Sequence, residues 1–186
     1  MSDFSNPAGR TPAASAGYIK ALLDLLGDRN PLTVQGELLG RLAALTEGLT
    51  DDESRKPEAP GKWSILQVLD HLTDQEAVSA YRLRSVIAED EPTLRGYDQD
   101  RWAARLRYGN APAGQVLSEL AALRARNLRL YGALDDREFE RVGLHSERGR
   151  ESARRLCELT AAHDLVHRRQ IARIRAAIGK PFSGTA

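Results

Sequence analysis

A chain of 186 residues is long enough to bury one core without disulfide or metal staples, and it reads as a single domain. Its 27 basic and 26 acidic side chains nearly cancel, which removes any global electrostatic case for nucleic acid or acidic membranes. No stretch approaches the ~20 apolar residues that span a bilayer. The single Cys157 excludes an intramolecular disulfide, so a reducing cytoplasm is the expected location.

In chain order, Met1 to Gly17 is rich in Ser, Pro, Ala and Gly and lacks an apolar signal-peptide region, so residues 1–17 read as a disordered leader. The folded domain is expected over residues 18–180, with 181–186 as a tail. Tyr18 to Leu26 forms a short helix before the Gly27–Pro31 break. A first long helix follows from Leu32 to Leu49, its face marked by Leu38, Leu39, Leu42, Leu45 and Leu49. Pro57, Pro60 and Gly61 forbid an earlier start for the second, and Ser64-Ile65-Leu66-Gln67 is a capping box that opens it. This helix runs to about Ala88, with Val68, Leu72, Val78 and Val86 inward, and stops at Glu89-Asp90-Glu91-Pro92.

The loop from Thr93 to Ala113 is long for a compact bundle, so it is expected to be functional or to carry a short helix. A third long helix covers Pro112 to Leu134, and a fourth covers Glu151 to Ile178, ending at Gly179-Lys180-Pro181. The connection between them, Asp135 to Arg150, holds His145. Strand signals are nearly absent. The economical architecture is therefore all-α, a four-helix bundle whose middle connections are long enough to cross it.

Two of the four histidines, His163 and His167, stand four residues apart on the fourth helix and share a face. Four histidines placed at random give such a pair about 6% of the time, so the spacing alone is weak. Phasing strengthens it. Leu159, His163, Val166, His167, Gln170 and Ile174 follow one set of helical rows, and Val68, His71, Gln75 and Val78 follow another on the second helix. Three histidines thus point toward a bundle interior, where neutral imidazoles suit zinc, nickel or iron and leave a position for water or substrate. Cys157 lies six residues before His163, about 600° around the axis and off that face. The metalloprotease pattern His-Glu-x-x-His is absent, because Asp164 holds the glutamate position; it is a doubtful base but a candidate to orient a neighbouring group.

These residues carry a resemblance. The block Gly61-Lys62-Trp63-Ser64-Ile65-Leu66-Gln67-Val68-Leu69-Asp70-His71-Leu72 resembles the signature of the DinB-like, YfiT-related superfamily of metal-dependent enzymes. So do Asp90-Glu91-Pro92, Tyr97-Asp98-Gln99-Asp100-Arg101-Trp102, Arg141-x-Gly-x-His145-x-x-x-Gly149 and His163-Asp164-x-x-His167-x-x-Gln170-Ile171. The resemblance spans about Leu32 to Ile178. It implies an up-down-down-up bundle, often a homodimer, with a divalent metal on His71, His163 and His167. It also implies thiol S-transferases using bacillithiol or mycothiol among the relatives.

Around this triad, Asp74 and Arg82 are candidates to hold a histidine or bind an anionic substrate, or form a surface ion pair. His145 reads as a substrate contact or a solvated turn residue, and the turn is favoured. Trp102 borders the metal mouth or plugs the core. The run Arg168-Arg169-x-x-x-Arg173-x-Arg175 reads as a solvated face rather than a nucleic-acid site. The leading expectation is a metal-dependent thiol S-transferase acting on small electrophiles with a low-molecular-weight thiol. The alternatives are a metal-dependent hydrolase, or a non-enzymatic dimeric stress protein that binds metal or a small ligand.

Overall fold

A computed structural model describes residues 12–184 of the chain. In order these form α1 (Pro12–Leu26), α2 (Pro31–Thr46), α3 (Asp51–Ser54), α4 (Ile65–Ala88), β1 (Thr93–Leu94), α5 (Gln99–Arg105), α6 (Ala113–Tyr131), α7 (Asp136–Phe139), β2 (Val142–His145), β3 (Gly149–Ser152) and α8 (Ala153–Ala177). The long elements α2, α4, α6 and α8 make the four-helix bundle.

Their starts are fixed by side chains that satisfy orphan N–H groups. The Asn30 oxygen accepts from Leu32 and Thr33 at the head of α2. At α4 the capping box closes both ways: Gln67 N–H donates to Ser64 Oγ at 3.3 Å, and Ser64 N–H donates to Gln67 Oε1 at 2.9 Å. Ser152 Oγ accepts from Arg155 N–H at 3.1 Å and sets the start of α8. Those caps set the phase of every histidine downstream.

Side-chain contacts reveal the helix directions. Glu76 and Arg84 of α4 bond Asn127 on α6, and Glu76 also pairs with Arg124, so these helices run parallel. His71 meets His163 while Ser79 meets Thr160, so α4 and α8 are antiparallel. Gln35 bonds Cys157 and Arg175 bonds the Leu45 carbonyl, so α2 and α8 are parallel. The order is up-down-down-up, with α2 and α6 antiparallel. Leu38, Leu42, Leu45, Leu66, Leu69, Val116, Leu120 and Ile174 interlock at its centre.

Three expectations are corrected. Residues 12–17 of the supposed leader are helical, and the remainder of that leader lies outside the described residues. Leu22 and Leu26 of α1 pack with Leu159, Ala161 and Ala162 of α8, and this burial orders the segment. Phe182, placed in the tail, packs against the bundle core beneath the Arg175 guanidinium, 5.9 Å from its ring centre; 185–186 lie outside the described residues.

The connection read as irregular contains strands. β2 pairs parallel to β1 (Leu94 opposite His145) and antiparallel to β3 (His145 opposite Gly149). Strands of two to four residues are too short to display alternation, and their partner lies about 50 residues away. Gly143 is required there: a Cβ would sit 2.8 Å from Leu94 Cδ1 and 2.9 Å from Val86 Cγ2, so only glycine lets β2 lie on α4.

Candidate metal centre

His71 sits in the second turn of α4, and His163 and His167 occupy successive turns in the middle of α8. Antiparallel packing brings them together: His71 Nε2 lies 3.1 Å from His163 Nε2, which lies 3.0 Å from His167 Nε2. The three potential ligand atoms all fall within 4.8 Å of one another. His71 and His167 are buried and His163 is half-buried. The Trp63 ring covers His71 at a centroid distance of 5.0 Å.

This donor set fits a divalent metal. Three nitrogens about 2.0–2.1 Å from a tetrahedral ion stand roughly 3.3 Å apart, close to the two separations about His163, 3.1 and 3.0 Å. Neutral imidazoles alone serve the arrangement badly. His163 has one Nε2 proton at most and faces two nitrogens, so it cannot donate a full hydrogen bond to both. A shared cation removes that conflict. His167 is oriented for it, because its Nδ1 faces Gln170 Oε1 at 2.6 Å and leaves Nε2 as the acceptor. The Nδ1 atoms of His71 and His163 are buried with no partner among the described residues.

Burial keeps all three imidazoles neutral. It pulls His71 and His163 well below the usual histidine range, with the neighbouring histidines adding to the effect. It pulls His167 down to about 4 against the opposing Gln170 hydrogen bond. Each folded-state value lies below the unfolded one, so the unfolded chain binds more protons in acid. Metal-free protein is therefore expected to lose stability as pH falls from about 6.5 toward 4, read as a falling urea midpoint. His167→Gln should flatten that loss.

The other expected residues scatter. Gln170 contacts the cluster. Asp164, beside His163 in sequence, turns away and forms a bidentate pair with Arg124 at 2.6 and 3.0 Å, touching no histidine. Asp74 accepts from the Tyr108 hydroxyl and faces outward. Arg82 is buried beside the histidines and makes no surface ion pair. His145 is not a solvated turn residue: strand pairing buries it, its Nδ1 accepts from Glu147 N–H, and burial with nearby Arg148 and Arg82 pulls it down to about 3. Trp102 neither plugs the core nor touches the histidines; its ring packs tilted against that of Tyr97, centroids 4.5 Å apart, in an outer cleft. The basic run is only partly solvated, since Arg168 is buried and Arg173 pairs with Glu58. Sequence reasoning missed Arg124, Glu76, Arg148 and the part played by Tyr18. A buried Arg–carboxylate set on three helices has no local signal.

One cavity adjoins the cluster, and a larger cleft adjoins that cavity. The inner one, about 40 Å³, is lined by His71, His163, Tyr18, Gln75, Ser79, Arg82, Arg148 and Thr160, among others, and by no carboxylate among the described residues. The outer cleft, about 900 Å³, shares Arg82 and Tyr97 with it and holds Tyr81, Arg101, Trp102 and Leu106. The larger space is not where the histidines lie. The chemistry belongs to the smaller.

Fold and site together define a helical bundle with a three-histidine candidate metal site in its interior. The chain belongs to the DinB superfamily, whose sequence profile matches residues 37–171. It is 29% identical over 142 residues to a Geobacillus thermodenitrificans protein provisionally named a metal-dependent hydrolase, covering 75% of this chain and 79% of that protein. It is 28% identical over 116 residues to Bacillus subtilis YfiT, which carries the same provisional name, covering 62% of this chain and 65% of YfiT. The solved structure of YfiT, described as an unusual four-helix bundle, matches with a TM-score of 0.74 at 23% identity over 94% of both chains. That likeness concerns the fold. Among the described residues no helix is long and apolar enough to cross a membrane.

Proposed function

We propose that this protein is a metal-dependent hydrolase of small molecules, with His71, His163 and His167 holding the ion. The observation that carries the reading is the convergence of three Nε2 atoms beside a small polar cavity. Zinc, nickel and iron all suit three imidazoles, and the hydrolase names of the relatives support the reaction class. When bound, such an ion supplies Lewis acidity and a nucleophile at neutral pH.

The chain's own residues do the rest. Gln170 sets the His167 ring, and Trp63 covers His71. Tyr18 of α1 closes the cavity from outside the bundle, its phenol pushed up to about 12 by burial and so kept protonated. Burial holds the imidazoles neutral and therefore competent as ligands.

One observation favours a second reading, transfer of a low-molecular-weight thiol onto an electrophile. Among the described residues no carboxylate lines the inner cavity, so they offer hydrolysis no evident general base there, whereas a thiolate needs none. We also expect a cytoplasmic homodimer, with a light-scattering mass near twice 20.5 kDa. Zinc- and nickel-loaded protein assayed on activated esters and amides, with and without small thiols, separates the readings. Turnover without thiol supports hydrolysis. Turnover only with thiol moves the assignment to transfer, and none in either arm leaves a non-enzymatic metal-binding protein.

A further inference from the structure

We infer that the substrate of this site carries a carboxylate, and that Arg82 is the residue that binds it. The inference rests on the metal-site reading only for where the reacting bond lies; the anion site stands without it.

Arg82 follows His71 by eleven residues on α4. At 100° per residue that returns it to within about 20° of the same face, three turns on. Helical side chains lean toward the N-terminus, so the guanidinium reaches back along α4 toward His71. Both side chains line the inner cavity.

The guanidinium is 4% exposed, and it forms no ion pair among the described residues. Its Nη2 donates to the Arg95 carbonyl at 2.5 Å, and its buried Nε has no acceptor. A buried cation with a spare donor and no described carboxylate bonded to it is unfavourable, and folds retain such groups where a ligand completes them. The second cation of the cavity, Arg148, is already neutralised by Glu151 through bonds of 2.5 and 2.8 Å. Arg82 is thus the one with a charge to offer. Burial and the adjacent Arg148 pull it down to about 10 against the opposing effect of Glu151, Tyr97 and Glu147, which leaves it charged at neutral pH.

The remaining lining suits an anion as well. Ser79 presents a hydroxyl, whereas that of Thr160 is donated to the Leu156 carbonyl at 2.8 Å. A cavity of about 40 Å³ admits a carboxylate-sized group but excludes a nucleotide. The rest of a larger acid has space in the outer cleft, which shares Arg82 as a wall.

The test uses propanoate and its neutral isostere propanamide, titrated by NMR at constant ionic strength into metal-free and zinc-loaded protein. Propanoate should shift the Arg82 Nε–H resonance in both forms, and propanamide should leave it unmoved. Arg82→Gln should weaken propanoate binding at least 10-fold while zinc stoichiometry and the helical circular dichroism stay unchanged. An Nε–H resonance indifferent to propanoate, or equal binding of propanamide, overturns the inference, and the wild-type resonance decides even if the variant does not fold. Propanoate binding in protein that takes up no zinc would sink the metal reading alone. One zinc per chain with no propanoate response would sink this inference alone.

Discussion

Replacing His163 with alanine is expected to abolish metal retention while leaving the helices in place. His163 is the hub of the cluster, its Nε2 lying 3.1 Å from that of His71 and 3.0 Å from that of His167. Removing it leaves two nitrogens contributed by different helices. Loss of a residue that merely orients a ligand costs about 10–100-fold in affinity, so loss of a ligand should exceed 100-fold. Wild-type protein loaded with zinc and desalted should retain about one ion per chain by elemental analysis, and the variant should retain almost none. Its circular dichroism should stay helical, because the half-buried imidazole contributes little to the leucine core around Leu42, Leu69 and Ile174. Equal metal content in wild type and in the triple variant His71→Ala, His163→Ala, His167→Ala would remove the site.

The largest loss of stability is expected from Arg124→Met. Arg124 of α6 donates to Asp164 of α8 at 2.6 and 3.0 Å, pairs with Glu76 of α4 at 2.8 Å and donates to the Gln35 carbonyl of α2 at 3.0 Å. One guanidinium thus joins all four bundle helices near the histidines, and it is 2% exposed. Taking it away strands two buried carboxylates, which costs about 3–5 kcal/mol. In a domain of this size that lowers the melting temperature by roughly 10–15 °C. The penalty has a sign in pH. Burial already pushes Asp164 up to about 6 against the pull of Arg124, and without Arg124 it rises further. A raised Asp164 value means that stability is lost as pH rises through it, so the variant should be less impaired at pH 5 than at pH 8. Thermal melts at the two values check both magnitude and direction. A variant as stable as wild type at pH 8 would show the network to be energetically neutral.

Much of the site was legible because it is written in local terms. The capping box at Ser64 and Gln67 starts α4, and the i, i+4 spacing of His163 and His167 places them on one face. Those facts depend on residues within a turn or two of each other. Helical phase alone also turned His71 inward, and Gln170 sits one turn from the histidine it orients. The resemblance to a bundle family supplied the helix order, which the loop lengths left open.

What could not be read from local pattern depends on partners far along the chain. The Gly143 strand pairs with residues about 50 positions away, and that pairing buries His145. Residues 12–17 looked like a leader because their composition is permissive, whereas burial of Leu22 and Leu26 of the same helix on α8 orders them. Asp164 was expected to orient a neighbouring group near the histidines, yet an arginine 40 residues away claims it. Arg82 was one candidate among several, and only packing shows that it is buried with no described carboxylate bonded to it.

Taken by itself, the sequence determined the helices, their faces and the three histidines, because helix formation and side-chain phase are properties of neighbouring residues. Tertiary structure decided which charges are paired, which are stranded and what lines the cavity beside the histidines. Those outcomes require segments distant in the chain to meet, and no local pattern encodes such a meeting.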